Sequence, residues 1–313
     1  MNRLALTASL ALAALCTSSC DDVVEAFHDS ERYREDFHYT RDLRPGGRFS
    51  LDNFNGPVEV MAWEKDSVDI SGTKYANDES LLKAMRIEIS SSPDSISIRT
   101  TRPTPTRGRS GARYVIRVPS RVVIDQLRTS NASVRVEGIE GQARLQTSNG
   151  SGRVFRIKGP VEVLTSNARV EVENVQGDVR VKTSNGPVRV TDVQGTLEAD
   201  TSNSGITARV TAPKPNSRIK LDTSNGPIEL SLDAFRSNDI VADTSNSSIT
   251  LRLPGEVSAN IIAETSHGSI TTDYAVQARR VSKTHLDGSI GSGGPTVHLD
   301  TSNGNIRIVR LTR

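Results

Sequence analysis

The sequence predicts an all-β protein built as a single parallel β-solenoid, and three observations carry that reading. The tripeptide Thr-Ser-Asn recurs from Thr129 to Thr301, and apolar and polar residues alternate between its copies. Aromatic residues make up only 4% of 313 residues. Such a composition suits narrow, strand-rich structure with β-branched interiors better than a thick globular core.

The repeat is the strongest of the three. Thr-Ser-Asn begins at Thr129, Thr147, Thr165, Thr183, Thr201, Thr223, Thr244 and Thr301. The first four steps are 18 residues each and the next two are 22 and 21, so the coils are about 18–22 residues long. Thr265-Ser266-His267 continues the series, and Thr284-His285 reads as a decayed rung between Thr265 and Thr301. A fixed period of this kind marks stacked units that bury their apolar faces against one another.

Parity locates the corners. Val170, Val172, Val175, Val179 and Val181 are the apolar positions of the unit from Thr165 to Lys182. In the next unit Val188 and Val190 share one parity, whereas Val193, Leu197, Ala199 and Thr201 share the other. Alternate side chains of a strand face opposite ways, so the chain must turn near Thr191-Asp192. The other corner falls at Thr-Ser-Asn-Gly, where Asn and Gly tolerate positive φ. A meander of Asn-Gly hairpins is the competing arrangement, but it has no reason to repeat identical residues at one period. In a right-handed solenoid, Asn131, Asn149, Asn167, Asn185, Asn203, Asn225, Asn246 and Asn303 would stack about 4.8 Å apart as an amide ladder. The repeated Thr points inward on this parity, which argues against an ice-binding Thr face.

The N-terminus reads as a signal. Asn2-Arg3 precede an apolar run from Leu4 to Leu15; as a helix its twelve residues reach about 18 Å, short of the ~30 Å of a bilayer core. Residues 1–19 are therefore expected to be a lipoprotein-type signal peptide, with Thr17-Ser18-Ser19-Cys20 as its box and Cys20 as the lipidation site. Cys16, behind the bulkier Leu15, is the poorer choice, and an ordinary cleaved signal is the alternative. Residues 20–44 read as a charged tether, with Asp22–Phe37 able to form a short helix, and residues 45–313 as the solenoid. Within it, Pro45-Gly46-Gly47 opens the first strand, Trp63 is placed to cap the open end of the core, Ser80–Met85 reads as a helical insertion, and Arg102–Arg113 as a loop.

Asn55-Gly56-Pro57-Val58-Glu59-Val60 matches Asn185-Gly186-Pro187-Val188-Arg189-Val190 at five of six positions, so the N-terminal part is a diverged version of the same unit. The segment from Pro45 to Gly72, with Trp63, and that from Tyr114 to Gly150 resemble the start and middle of the bacterial putative-adhesin β-strand-repeat family, domain of unknown function 4097. The resemblance spans roughly residues 40–310. It implies a β-strand-repeat fold and an exposed role, brings no catalytic residues with it, and some relatives are associated with envelope-stress systems.

The chemistry-bearing patterns are few. Basic and acidic residues nearly cancel, 39 against 37, which argues against a general nucleic-acid binder. No nucleophile elbow and no phosphate or dinucleotide loop appears, and no cofactor is expected. Asp200, Asp222, Asp243, Glu264 and Asp300 each precede a rung Thr and should form an outward acidic file. Stacked carboxylates repel unless cations intervene, so the file is a candidate for cation binding or, as in glycan-cleaving β-helices, for acid–base work, against the plain reading of a solvated face. His267 and His285, with Asp287 nearby, are candidates for a metal, against drift in a terminal coil. Arg102, Arg107, Arg109 and Arg113 form a basic loop whose guanidinium forks suit lipid phosphate or lipopolysaccharide, or simply solvent.

These readings converge on a non-enzymatic cell-envelope lipoprotein. It is expected to be a monomeric interaction scaffold or adhesin, held by its N-terminal lipid at the periplasmic side or the cell surface. Its partner would be an envelope protein or polysaccharide and not nucleic acid. The competing reading is a soluble periplasmic protein that binds or cleaves glycans on the acidic file.

Overall fold

The computed structural model describes residues 31–102, 104 and 108–311. The segment expected to be a signal peptide, with Cys16 and Cys20, lies outside the described residues, as does Arg107. The N-terminal part holds β1 (Tyr33–Asp42), β2 (Arg48–Asp52), β3 (Val58–Trp63), β4 (Ser67–Ala76), α1 (Glu79–Ala84), β5 (Ile87–Ser92), β6 (Ser95–Thr100) and β7 (Ser110–Pro119). The middle begins with β8 (Val123–Arg128), β9 (Val134–Glu137), β10 (Ala143–Gln146), β11 (Gly152–Lys158), β12 (Val161–Leu164), β13 (Val170–Gln176) and β14 (Val179–Lys182). It continues through β15 (Val188–Gln194), β16 (Leu197–Thr201), β17 (Ile206–Val210), β18 (Arg218–Thr223), β19 (Ile228–Leu232), β20 (Asp239–Thr244) and β21 (Ile249–Leu253). The C-terminal part adds β22 (Ala259–Thr265), β23 (Ile270–Thr272), β24 (Val276–Val281), β25 (His285–Ile290), β26 (Thr296–Thr301) and β27 (Ile306–Arg310).

Each unit gives one strand to each of two sheets, because its inward parity changes at both corners. Sheet A, of 13 strands, runs β1-β4-β7-β3-β9-β11-β13-β15-β17-β19-β21-β27-β23. Sheet B, of 14, runs β24-β25-β22-β26-β20-β18-β16-β14-β12-β10-β8-β2-β6-β5. Through the middle the pairing is parallel and in register, Val170 on Val188 and Val181 on Ala199. The inward residues of both sheets meet in one core, with Val170, Val172, Val175 and Val181 at most 1% exposed. Burying each such side chain contributes about 1.5–3 kcal/mol.

The predicted corners form, for partly different reasons. Arg156, Asn174 and Asp192 hold equivalent places in three successive units and have φ of 54°, 55° and 55°. The ladder asparagines are not among the positive-φ residues, so the Thr-Ser-Asn corner turns without a left-handed Asn. Their amides do form the ladder: Asn149 Nδ2 donates to Asn131 Oδ1 at 2.8 Å, and the chain continues through Asn167, Asn185, Asn203, Asn225, Asn246 and Asn303. The rung threonines are buried, as expected. Their hydroxyls donate to corner carbonyls of the adjacent rung rather than to one another, as Thr165 Oγ1 does to Gly150 O at 3.1 Å.

The residue after each ladder Asn alternates along the stack. The order is Gly56, Ala132, Gly150, Ala168, Gly186, Ser204, Gly226, Ser247, Gly304, broken only at Gly268. A Cβ on Gly150, Gly186, Gly226 or Gly304 would lie 1.8 to 1.9 Å from the carbonyl oxygen of Ala132, Ala168, Ser204 or Ser247. Every second rung therefore needs glycine for close backbone approach, and the true structural period is two coils.

Both ends depart from the expected order. The first rung, β2–β3, lies between β6–β7 and β8–β9. The last, β26–β27, lies between β20–β21 and β22–β23, so Thr301 and not Thr265 stacks on Thr244. Rungs that present the same hydrogen-bond edge can follow one another in any order, and chain connectivity decides. Thr284-His285 does not begin a rung; β25 runs antiparallel to β22 and β24 as part of a cap. At the other end part of the expected tether is strand: β1 pairs antiparallel with β4 and buries Phe37 against Tyr114, ring centroids 5.2 Å apart. The described part of the helix expected over Asp22–Phe37 is thus extended from Tyr33 onward.

Trp63 does not cap the core. It ends an internal strand, half-buried, with Nε1 donating to Ser67 O at 2.7 Å and Lys65 over its ring at 5.0 Å. The helical insertion forms as α1, capped by Asp78, whose carboxylate accepts from the Ser80 and Leu81 amides.

Candidate functional site

The acidic file exists as a continuous outward column on sheet B. Strand register aligns Arg128, Gln146, Leu164, Lys182, Asp200, Asp222, Asp243, Asp300, Glu264 and His285 in that order. Intercalation of the last rung puts Asp300 ahead of Glu264. The ends of the acidic run are neutralised: Lys182 Nζ lies 3.4 Å from Asp200 Oδ2, and His285 Nδ1 lies 3.3 Å from Glu264 Oε1. The carboxylates of Asp222, Asp243 and Asp300 have no hydrogen bond or ion pair among the described residues. The neighbouring column supplies Glu198, Lys220, Val241, His298 and Ile262. Burial pushes the Asp243 carboxyl above its ordinary range, and Asp222 and Asp300 add to this against the pull of His298 and Lys220. Alternation puts His298 on the same outward face as Asp300, and stacking of the last rung sets it beside Asp243.

The other predicted sites are not assembled as expected. His267 ends the Asn ladder, its backbone N–H donating to Ser302 O at 2.9 Å. His285 faces Glu264, while Asp287 is held by Arg279 at 2.9 Å, so the three do not form one centre. Among the described residues no three His, Cys, Asp or Glu side chains are gathered where they could hold a metal ion. Of the basic loop, Arg113 lies within β7, paired with Glu31 at 2.9 Å and set over the Tyr75 ring. Arg102 lies over Phe54, and the Arg109 backbone is bonded to Asn77. These arginines are engaged separately and do not form one fork.

A family model, Toastrack DUF4097, matches residues 48–309. The chain belongs to the Toastrack family. Two solved structures overlie it loosely. A "putative cell adhesion protein" from Clostridium sporogenes is 10% identical, covering 88% of this chain and 100% of its own, with a TM-score of 0.22. A "putative adhesin" from Bacteroides fragilis is 10% identical, covering 88% and 97%, with a TM-score of 0.29. No curated protein matches the chain.

What this Toastrack solenoid presents is set by its columns. Ahead of the acids, beside Gln146, Leu164 and Lys182, the neighbouring sheet B column alternates in sign, Arg144 to Glu162 at 2.6 Å and Arg180 to Glu198 at 3.7 Å, and so largely neutralises itself. The acidic column does not. No described helix is long and apolar enough to cross a membrane. Near the C-terminal cap, Phe235, Val257, Tyr274, Ile290 and Arg310 line a shallow cavity of about 510 Å³.

Proposed function

We propose that this Toastrack chain is a non-enzymatic scaffold of the bacterial envelope, an adhesin-type lipoprotein held by a lipid on Cys20. The observation that supports it is the outward column on sheet B. It passes from Arg128 and Lys182 to five consecutive acids on one flat face. Parallel strands keep such groups side by side, an arrangement suited to an extended, charged partner. A cationic or cation-bridged envelope polymer has that chemistry.

Two experiments test the reading. Cys20→Ala should abolish acyl labelling in cells; labelling that persists there and vanishes in Cys16→Ala would move the anchor. Purified chain should co-sediment with peptidoglycan or lipopolysaccharide aggregates, and Asp222→Asn with Asp243→Asn should weaken the binding. Turnover of any envelope glycan, lost in that double variant, would replace the scaffold with a glycan-cleaving enzyme.

A further inference from the structure

Four strands end the two sheets: β1 and β23 in sheet A, β5 and β24 in sheet B. Exposed edges template pairing with other chains, and proteins blunt them by shortness, bulges and charge. β23 has three residues, and β24 has a register irregularity between Ala278 and Arg280. β5 has six residues. β1 is different. It has ten residues, no proline, and an unbroken register against β4 from Tyr33–Ala76 to Asp42–Ser67. Counted outward from the β2–β3 rung, sheet A continues through β7, β4 and β1, but sheet B only through β6 and β5. β1 therefore stands one strand beyond the opposite sheet.

The charges on β1 match themselves. A two-fold axis normal to a sheet pairs an antiparallel strand with its own copy, so one residue lies on the axis and the rest pair symmetrically about it. With His38 on the axis, Arg34 meets Asp42, Glu35 meets Arg41, Asp36 meets Thr40 and Phe37 meets Tyr39, each twice. Within β1, moving the axis to Phe37 removes every Arg–carboxylate pair. Moving it to Tyr39 sets Asp36 against Asp42, and moving it to Asp36 sets that residue against itself and Arg34 against His38. Asp42 has no ion-pair partner in its own chain among the described residues. Cross-strand opposite charges and aromatic pairs stabilise a ladder, and like charges oppose it.

We propose that β1 is a self-association edge, through which two chains pair antiparallel about a two-fold axis at His38 and join their A sheets into one. This departs from the monomer expected from the sequence and is independent of the scaffold's partner.

Charge exchange tests it in the purified full chain by sedimentation velocity. The wild type should dimerise, with a dissociation constant on the order of micromolar, as suits a small interface. Arg34→Asp and Asp42→Arg each set like charges opposite one another twice and should each weaken the dimer about tenfold or more. The double variant Arg34→Asp/Asp42→Arg should restore it to within about threefold. Residues 34 and 42 are about 27 Å apart on one strand, so rescue cannot arise within a chain. Should that set misfold by circular dichroism, Glu35→Arg, Arg41→Glu and their combination test the same register. A wild type that stays monomeric at several hundred micromolar, single variants that dimerise unchanged, or an exchange that fails to rescue would each overturn the proposal.

Discussion

Gly186→Ala probes the two-coil period directly. The added methyl would lie 1.9 Å from Ala168 O and 2.2 Å from Ala168 C. Relief to an ordinary contact requires a shift of more than about 1 Å, because carbon approaches oxygen no closer than roughly 3.2 Å. The corner is tied on both sides: Asn185 N donates to Ser166 O at 2.9 Å, Val188 N to Gly205 O at 3.0 Å, and Asn185 Nδ2 to Asn167 Oδ1 at 2.7 Å. Such a shift stretches two or three of these bonds, each worth about 1 kcal/mol net. The expected loss is about 2–4 kcal/mol. The reverse change, Ala168→Gly, removes a methyl without a clash and should cost about 0.5–1 kcal/mol. The two together should be no better than their sum, because the obstructing atom is the backbone oxygen of residue 168, which both variants keep. Equilibrium urea unfolding measures the losses, and hydrogen exchange at Asn185 and Val188 shows whether the damage is local, since a solenoid can open by rungs. Gly186→Ala within about 0.5 kcal/mol of wild type, or rescue by Ala168→Gly, would refute a steric origin for the alternation.

Val181→Asp buries an unpaired carboxylate between coils and should cost several kcal/mol, read as loss of cooperative melting and of protease resistance. Asn185→Ala should cost less, because the exposed neighbours Asn167 and Asn203 can turn to water; a larger loss than for Val181→Asp would mean that the ladder, more than the apolar core, holds the coils together. Asp243→Asn should raise the melting temperature at neutral pH. The native fold holds the Asp243 carboxyl above its ordinary value of 3.8. Its contribution is therefore most favourable below that value and is lost as pH rises through the native pKa. The gain from Asn should shrink toward pH 3, and a lower melting temperature than wild type at pH 7 would contradict the burial and repulsion assigned to this column.

The middle of the fold is legible in the sequence because period and parity are both local. An 18-residue step puts Val170 on Val188, and an alternation switch at Asp192 demands a corner, so core, ladder and acid column follow without long-range information. The Gly–Ala alternation is written in the sequence as well, but a one-coil consensus averages it to Asn-Gly. β1 is obscured for another reason. At a sheet edge only Phe37 of its ten residues is buried, so charge hides the period-two pattern. Neither the place of the last rung nor the company of His298 can be read from spacing, since a rung fits any neighbour carrying the same edge.

That interchangeability is put to use at the ends. In a simple stack the terminal rung has one neighbour and opens first. Here the first and last Toastrack rungs are each hydrogen-bonded on both edges, β2–β3 between β6–β7 and β8–β9, and β26–β27 between β20–β21 and β22–β23. Opening either requires breaking two ladders at once, so fraying shifts to the strands outside them. At the C-terminal cap the exposed edges are a three-residue strand and an irregular one carrying Arg279 and Arg280. At the N-terminal cap the edges are β5, of six residues, and β1, longer and regular, with charges that favour the alignment centred on His38 over those centred on Asp36, Phe37 and Tyr39. Edges that need only resist pairing can be short or bulged. An edge whose charges select one register has the features of a strand that pairs.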